Sequence, residues 1–164
     1  FQQVYEFSAQ EYGVLFAVNS LGIVVGVQAS SRLMHRYNVG PQNILIVATA
    51  VLVATSAAIF TLDLLEVGLW GTLIPLWFFI AACGFTFPTV QVIALNAHGS
   101  EAGTAASLLG AANFGIAGLI SPVVGLLGVG TAMPMAAVMG VAAIISILSL
   151  WLIVRPRTVA ALTH

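Results

Sequence analysis

Polar and charged positions divide the chain into five long apolar stretches, 11–34, 43–62, 67–95, 103–128 and 131–154, separated by short gaps. Each predicts a membrane-spanning helix, because about 20 residues rising about 1.5 Å apiece cross a hydrocarbon core of about 30 Å. The basic side chains Arg32, Arg36, Arg155 and Arg157 all stand at the ends of such stretches, at gaps that five crossings place on one face. Asp63, Glu66 and the turn near Gly130 then occupy the opposite face. Positive residues mark the cytoplasmic side, so the first residues are expected outside and the last inside.

Small residues recur along two of these stretches at helical spacing. In the first, Asn19, Gly22, Gly26 and Ser30 share one face, and in the fourth, Gly99, Gly103, Ser107, Ala111 and Gly115 repeat every four residues. Such stripes let helix backbones approach closely, since packing in lipid relies on van der Waals contact. Asn19 either faces a cavity or makes an interhelical hydrogen bond; Gln28, about 180° away, cannot share a site with it. The second stretch, with Thr49, Thr55 and Ser56 as the polar points of its middle, is expected to face lipid over most of its surface and to act as support. Its hydroxyls can bond back to their own helix. The fifth reads as a peripheral helix anchored by Trp151.

The third stretch carries the most chemistry. Trp70, Trp77, Gly84 and Gln91 recur every seven residues and so lie nearly in line, while Pro75 and Pro88 interrupt the helix. Trp70 is placed at the outer interface. Trp77, Phe87 and Gln91 form either an apolar wall with one amide, suited to a lipophilic ligand, or an aromatic stripe packed on neighbouring helices. Asn113 is the only amide of the fourth stretch. At the basic face, Arg32 and Arg36 serve orientation and phospholipid contact, or one of them pairs with Glu101. Glu101 can instead cap the helix that it starts.

Composition removes several function classes. With 60% hydrophobic residues, 5% charged residues and a mean hydropathy of +1.11, the chain is not a soluble domain. A net charge of -1 without any lysine argues against a nucleic-acid partner. Cys83 is the single cysteine, and His35, His98 and His164 are too scattered for a metal site. In Gly99-Ser100-Glu101-Ala102-Gly103 the serine stands one place too early for a nucleophile elbow, and no phosphate-cradling loop exists, so neither an enzyme nor a cofactor is expected. No Asp, Glu, Lys, Arg or His falls near the middle of a span, which would place any proton-coupling group elsewhere. Beginning at Phe1, with its first methionine at Met34, the chain is expected to be a piece of a longer protein.

Three segments together carry a resemblance: Tyr12-Gly13-Val14-Leu15-Phe16-Ala17-Val18-Asn19-Ser20-Leu21-Gly22, Arg32-Leu33-Met34-His35-Arg36, and Glu101-Ala102-Gly103-Thr104-Ala105-Ala106-Ser107-Leu108-Leu109-Gly110. They resemble the C-terminal half of a major facilitator superfamily (MFS) transporter, with the bicyclomycin and chloramphenicol resistance (Bcr/CflA) exporters as the nearest likeness. The resemblance implies an all-α, polytopic membrane bundle whose five spans correspond to helices eight through twelve of a twelve-helix fold. Residues 1–10 are then the outer end of a truncated preceding helix or its loop, and 155–164 a cytoplasmic tail. It also implies a bacterial inner-membrane protein conferring antibiotic resistance, exporting small lipophilic drugs by proton antiport and alternating access in partnership with an absent N-terminal half. In that picture Trp77, Phe87, Gln91, Asn19 and Asn113 line the substrate cavity, and Arg32, Arg36 and Glu101 form a cytoplasmic gate. Gly22, Gly26, Gly103, Ser107 and Gly115 pack helices, the first and fourth against the opposite half. The alternatives are a facilitator exporting sugars or amino acids, and a membrane anchor or assembly subunit without cargo.

Overall fold

The computed structural model describes residues 8–96, 101–126 and 133–154. They form α1 (Ala9–Arg36), α2 (Pro41–Leu64), α3 (Leu69–Asn96), α4 (Ala102–Leu126) and α5 (Met133–Ser149), the last running on into a wider π-helical turn, Leu150–Val154. All five are long and apolar enough to cross a membrane, and the described residues contain no strand. Helices satisfy this sequence because hydrocarbon offers no partner to backbone N–H and C=O groups, which must pair within their own segment. His98, Gly99, Arg155, Arg157, the turn near Gly130 and the expected tail lie outside the described residues.

Helix ends extend past the apolar stretches where polar chemistry supports them. Ser8 caps α1 and closes a reciprocal capping box, its hydroxyl accepting from the Glu11 N–H (3.3 Å) while its own N–H donates to Glu11 Oε2 (2.9 Å). Residues 9 and 10, expected in a preceding segment, are therefore the first turn of α1. At the other end His35 and Arg36 continue the helix, a favourable place for cations. Pro41 opens α2, where its missing N–H costs nothing. Glu66 (φ 52°) ends α2 in a left-handed conformation, its N–H donating to Asp63 O at 3.1 Å and that of Val67 to Leu62 O at 3.2 Å.

Helix α3 is the centre of the bundle, with α1 against one side and α2 against the other. Contacts between α1 and α3 advance in the same direction along both helices, from Gly22 on Trp77, through Gly26 on Ala81 and Gly84, to Ser30 on Phe85 and Thr89. These two helices are parallel. Their lower contact is a fully buried hydroxyl pair, Ser30 Oγ and Thr89 Oγ1 at 3.1 Å. Between α2 and α3 the order reverses, with Leu52 on Ala82 and Ile59 on Leu76, and α5 runs antiparallel to α2 through Ala143 and Ala136 in the same clusters.

Two expectations change. Pro75 and Pro88 do not interrupt α3, which is helical throughout Leu69–Asn96. Each has glycine four residues earlier, Gly71 and Gly84, where a proline ring would crowd the preceding turn, and Pro122 of α4 has Gly118 in the same relation. The second apolar stretch does not mainly face lipid: α2 is held between α3 and α5, burying Ile44, Leu45, Ala48, Thr49, Leu52, Ser56 and Ile59. Burial of its hydroxyls is possible because Thr49 Oγ1 donates to Leu45 O (2.8 Å) and Ser56 Oγ to Val53 O (2.9 Å). In α4 the glycine stripe meets nothing within the described chain, with open space around Gly103, Gly110, Gly115 and Gly118 and no buried side chain over 102–122.

Alternating helix directions put the α1–α2 and α2–α3 turns at opposite ends of the bundle. In a cysteine-free background, single cysteines replacing Asn38 and Leu64 are expected to react with an impermeant thiol reagent from opposite sides of the membrane. Labelling of both from one side would refute the spanning arrangement.

Candidate functional site

Above the Gly22–Trp77 contact, α1 and α3 leave a cleft of about 940 Å³ between their N-terminal halves. One wall is a face of α1, with Glu11, Val14, Leu15, Val18 and Asn19; the other is the first turns of α3, with Leu69, Trp70, Leu73, Ile74, Trp77 and Phe78. The α1 wall exists because residues 11, 14, 15, 18 and 19 recur three or four apart, on one side of a helix. Trp77 closes the inner end. Its indole N–H donates to the Val18 carbonyl at 3.1 Å, and the ring lies over Gly22, where a methyl group would come within 3.2 Å of Nε1. Phe78 meets Trp77 edge-on, with ring centroids 5.4 Å apart and planes at 87°.

Polar groups in the cleft are few and sit at its two ends. The half-buried Asn19 lies one turn before the Trp77 seal. Ser8, Gln10 and Glu11 rim the mouth, and the capping box that holds the Glu11 carboxylate is part of that rim. Between them the walls are aliphatic and aromatic. A concave, mostly apolar surface with a small number of placed polar groups suits a lipophilic molecule of drug size.

The residues expected to share one cavity divide into three places. Asn19 and Trp77 line the cleft together. Phe87 and Gln91 lie on α3 but are exposed near its far end, and Gln91 is fourteen residues beyond Trp77, about 21 Å along the axis. Asn113 is exposed on α4, away from the cleft. Of the expected gate, Arg32, Arg36 and Glu101 are all exposed, and no ion pair joins them among the described residues, since α4 barely touches the bundle and does not pack on α1. Gly22 and Gly26 pack on α3 within the chain, whereas Gly103, Ser107 and Gly115 are exposed on α4.

The cleft also includes Ser8, Gln10 and Glu11, to which the sequence reading attached no role. Their signal is the Ser8-Ala9-Gln10-Glu11 spacing of a capping box, which carries α1 two residues beyond its apolar run. Trp70, read as an interfacial anchor, stands at the same mouth.

Two relatives match nearly all of the chain. The uncharacterized MFS-type transporter YdgK of Bacillus subtilis (strain 168) is 26% identical over 159 residues, 96% of this chain and 38% of the relative. A bicyclomycin resistance protein homolog of Haemophilus influenzae is 26% identical over 146 residues, 89% of this chain and 36% of the relative. The chain thus spans well under half the length of either. No family model matches the sequence, and no solved structure does. Over nearly its whole length the chain is therefore homologous to a part of each of these two proteins, one of them named an MFS-type transporter, and its five apolar helices are long enough for a multi-pass membrane protein.

Proposed function

We propose that this chain is the C-terminal-half portion of an MFS drug exporter of the bacterial inner membrane, and that the α1–α3 cleft is its share of the substrate path. The reading rests on one observation above the others: a drug-sized apolar cleft, bounded by Trp77 and Asn19 at one end and Glu11 at the other, within a chain homologous to transporters. The cargo is a small lipophilic compound, and one relative's name as a bicyclomycin resistance homolog favours drug efflux. The protein is a carrier, not an enzyme. Exchange against protons would be carried out with the N-terminal half, by rocking of the two halves around a midplane site. In this orientation Ser8 is at the outer face and Arg36 at the cytoplasmic one, following the basic residues.

A sugar or amino-acid facilitator would need more hydrogen-bonding groups than Asn19 and the rim provide. The test is to fill the cleft without disturbing the bundle. Val14 is 62% exposed and lines the cleft, whereas Val141 is 58% exposed on the outer side of α5. In cells expressing the complete transporter, Val14→Trp is expected to lower drug efflux about tenfold, and Val141→Trp to leave it within about twofold of the parent. Equal efflux from both at matched expression would remove the cleft from the path. Collapse of efflux with a protonophore, at constant ATP, would establish proton coupling.

A further inference from the structure

A second apolar hollow lies at the arginine end of the bundle, apart from the cleft. Helices α1 and α2 both pack on α3 but leave a groove of about 370 Å³ between them. Its floor is low because α3 presents only the methyl groups of Ala81 and Ala82 there, and α2 presents Ala48. Leu33 and Val39 stand at one end and Val51 and Phe78 at the other. From Asn43 to Val51 the groove follows α2 for about 12 Å, most of the roughly 15 Å depth of one leaflet's hydrocarbon. The rim is open, with Val47 63% and Phe78 52% exposed.

The chemistry changes abruptly at the Leu33 end. Arg36 follows Leu33 by three residues, a neighbouring position on the helix surface, and Arg32, about 100° around the helix from Leu33, neighbours Arg36 at a spacing of four; both are exposed. They are the only arginines among the described residues, and the chain has no lysine. Asn43, an exposed amide, lines the groove at the same end. The positive end of the α2 dipole adds to this charge, since Gly40 caps α2 without a side-chain hydrogen bond. One structure therefore joins an apolar channel parallel to the bilayer normal with a cationic mouth at headgroup depth.

We infer that this groove binds an anionic phospholipid, with one acyl chain lying between α1 and α2 on the alanines of α3 and the phosphate held by Arg32, Arg36 and Asn43. Juxtamembrane basic residues beside a gap between helices supply the attraction for an anionic headgroup, and the groove supplies a place for its chain. The site is independent of cargo. It ties the α1–α2 turn to the leaflet and leaves the α1–α3 cleft free.

Native mass spectrometry of the purified protein, titrated with dioleoyl phosphatidylglycerol or dioleoyl phosphatidylcholine, tests this. The expected result is about tenfold tighter retention of phosphatidylglycerol. Arg32→Gln with Arg36→Gln should bring the two lipids within about twofold of each other. Val47→Trp, which fills the open rim, should displace the high-affinity phosphatidylglycerol while leaving the arginines in place; Val47→Phe provides a smaller filler if tryptophan impairs folding. Soluble glycerol phosphate should not compete. Equal retention of both lipids by the parent, unchanged preference in the arginine variant, unchanged binding in both filled variants, or competition by glycerol phosphate would each overturn the assignment.

Discussion

Gly26→Ala is expected to lower the melting temperature of the purified protein sharply, whereas Gly13→Ala on the same helix leaves it unchanged or raises it. A methyl group on Gly26 would collide with the Ala81 carbonyl oxygen and come within 3.0 Å of Gly84 Cα. These are backbone atoms of α3 and cannot swing aside, so the helices must separate. Gly84 sees the reciprocal obstacle, with a built Cβ 2.5 Å from the Ile23 carbonyl oxygen. Separation would loosen the Ser30–Thr89 hydroxyl pair below and the Trp77–Val18 bond above, because all three lie on one seam. Overpacking of this kind costs about 1 to 3 kcal/mol, and the rigid partner places Gly26→Ala near the upper end. Gly13 has nothing within 4 Å, so alanine there only improves helix propensity. Thermal unfolding in detergent of the two variants and Gly84→Ala decides the matter. Equal Tm values for Gly26→Ala and Gly13→Ala would mean that the seam does not hold α1 to α3.

Much of the architecture is written in periodicity, and its limits are physical. The Gly22, Gly26 and Ser30 stripe identifies the side of α1 on which a backbone can approach, yet a stripe of small residues does not encode which helix arrives. The resemblance sends α1 to an absent half, while the structure seats this face on α3. Helix α2 is apolar on every side, so hydropathy cannot separate its lipid-facing residues from Leu52 and Ile59 in the core. Helix length escapes hydropathy too: apolar runs measure hydrocarbon thickness, whereas Ser8 and Arg36 show the helix continuing into polar ends. The seven-residue spacing puts Trp77 and Gln91 within about 40° of each other in angle, but angle ignores height. About 21 Å of axial rise puts Gln91 beyond the reach of a ligand that touches Trp77. Asn19 and Trp77 share one cleft because they lie at the same level on parallel helices, which depends on register between segments 58 residues apart.

The larger functional effect is expected at Trp77, where ring and N–H can be separated. On the proposed function, Trp77→Ala, which removes the inner wall of the cleft and the cover over Gly22, should reduce export by the complete transporter about tenfold or more, equivalent to about 1.4 kcal/mol. That is within the range contributed by one aromatic contact. Trp77→Phe keeps an apolar ring but loses the 3.1 Å bond to Val18 O. Val18 O also has the helical partner expected at Gly22 N–H, so the acceptor is not left unpaired, and an interhelical hydrogen bond in a membrane averages only about 0.6 kcal/mol. Export by Trp77→Phe should therefore fall by no more than about threefold. Measured as initial efflux rates at matched membrane abundance, the order parent, phenylalanine, alanine would assign the effect to the apolar wall. If phenylalanine were as damaging as alanine, the indole N–H would be the decisive group and Trp77 a helix fastener. If neither variant changed efflux while Val14→Trp still blocked it, the path would pass the mouth of the cleft without reaching its inner end.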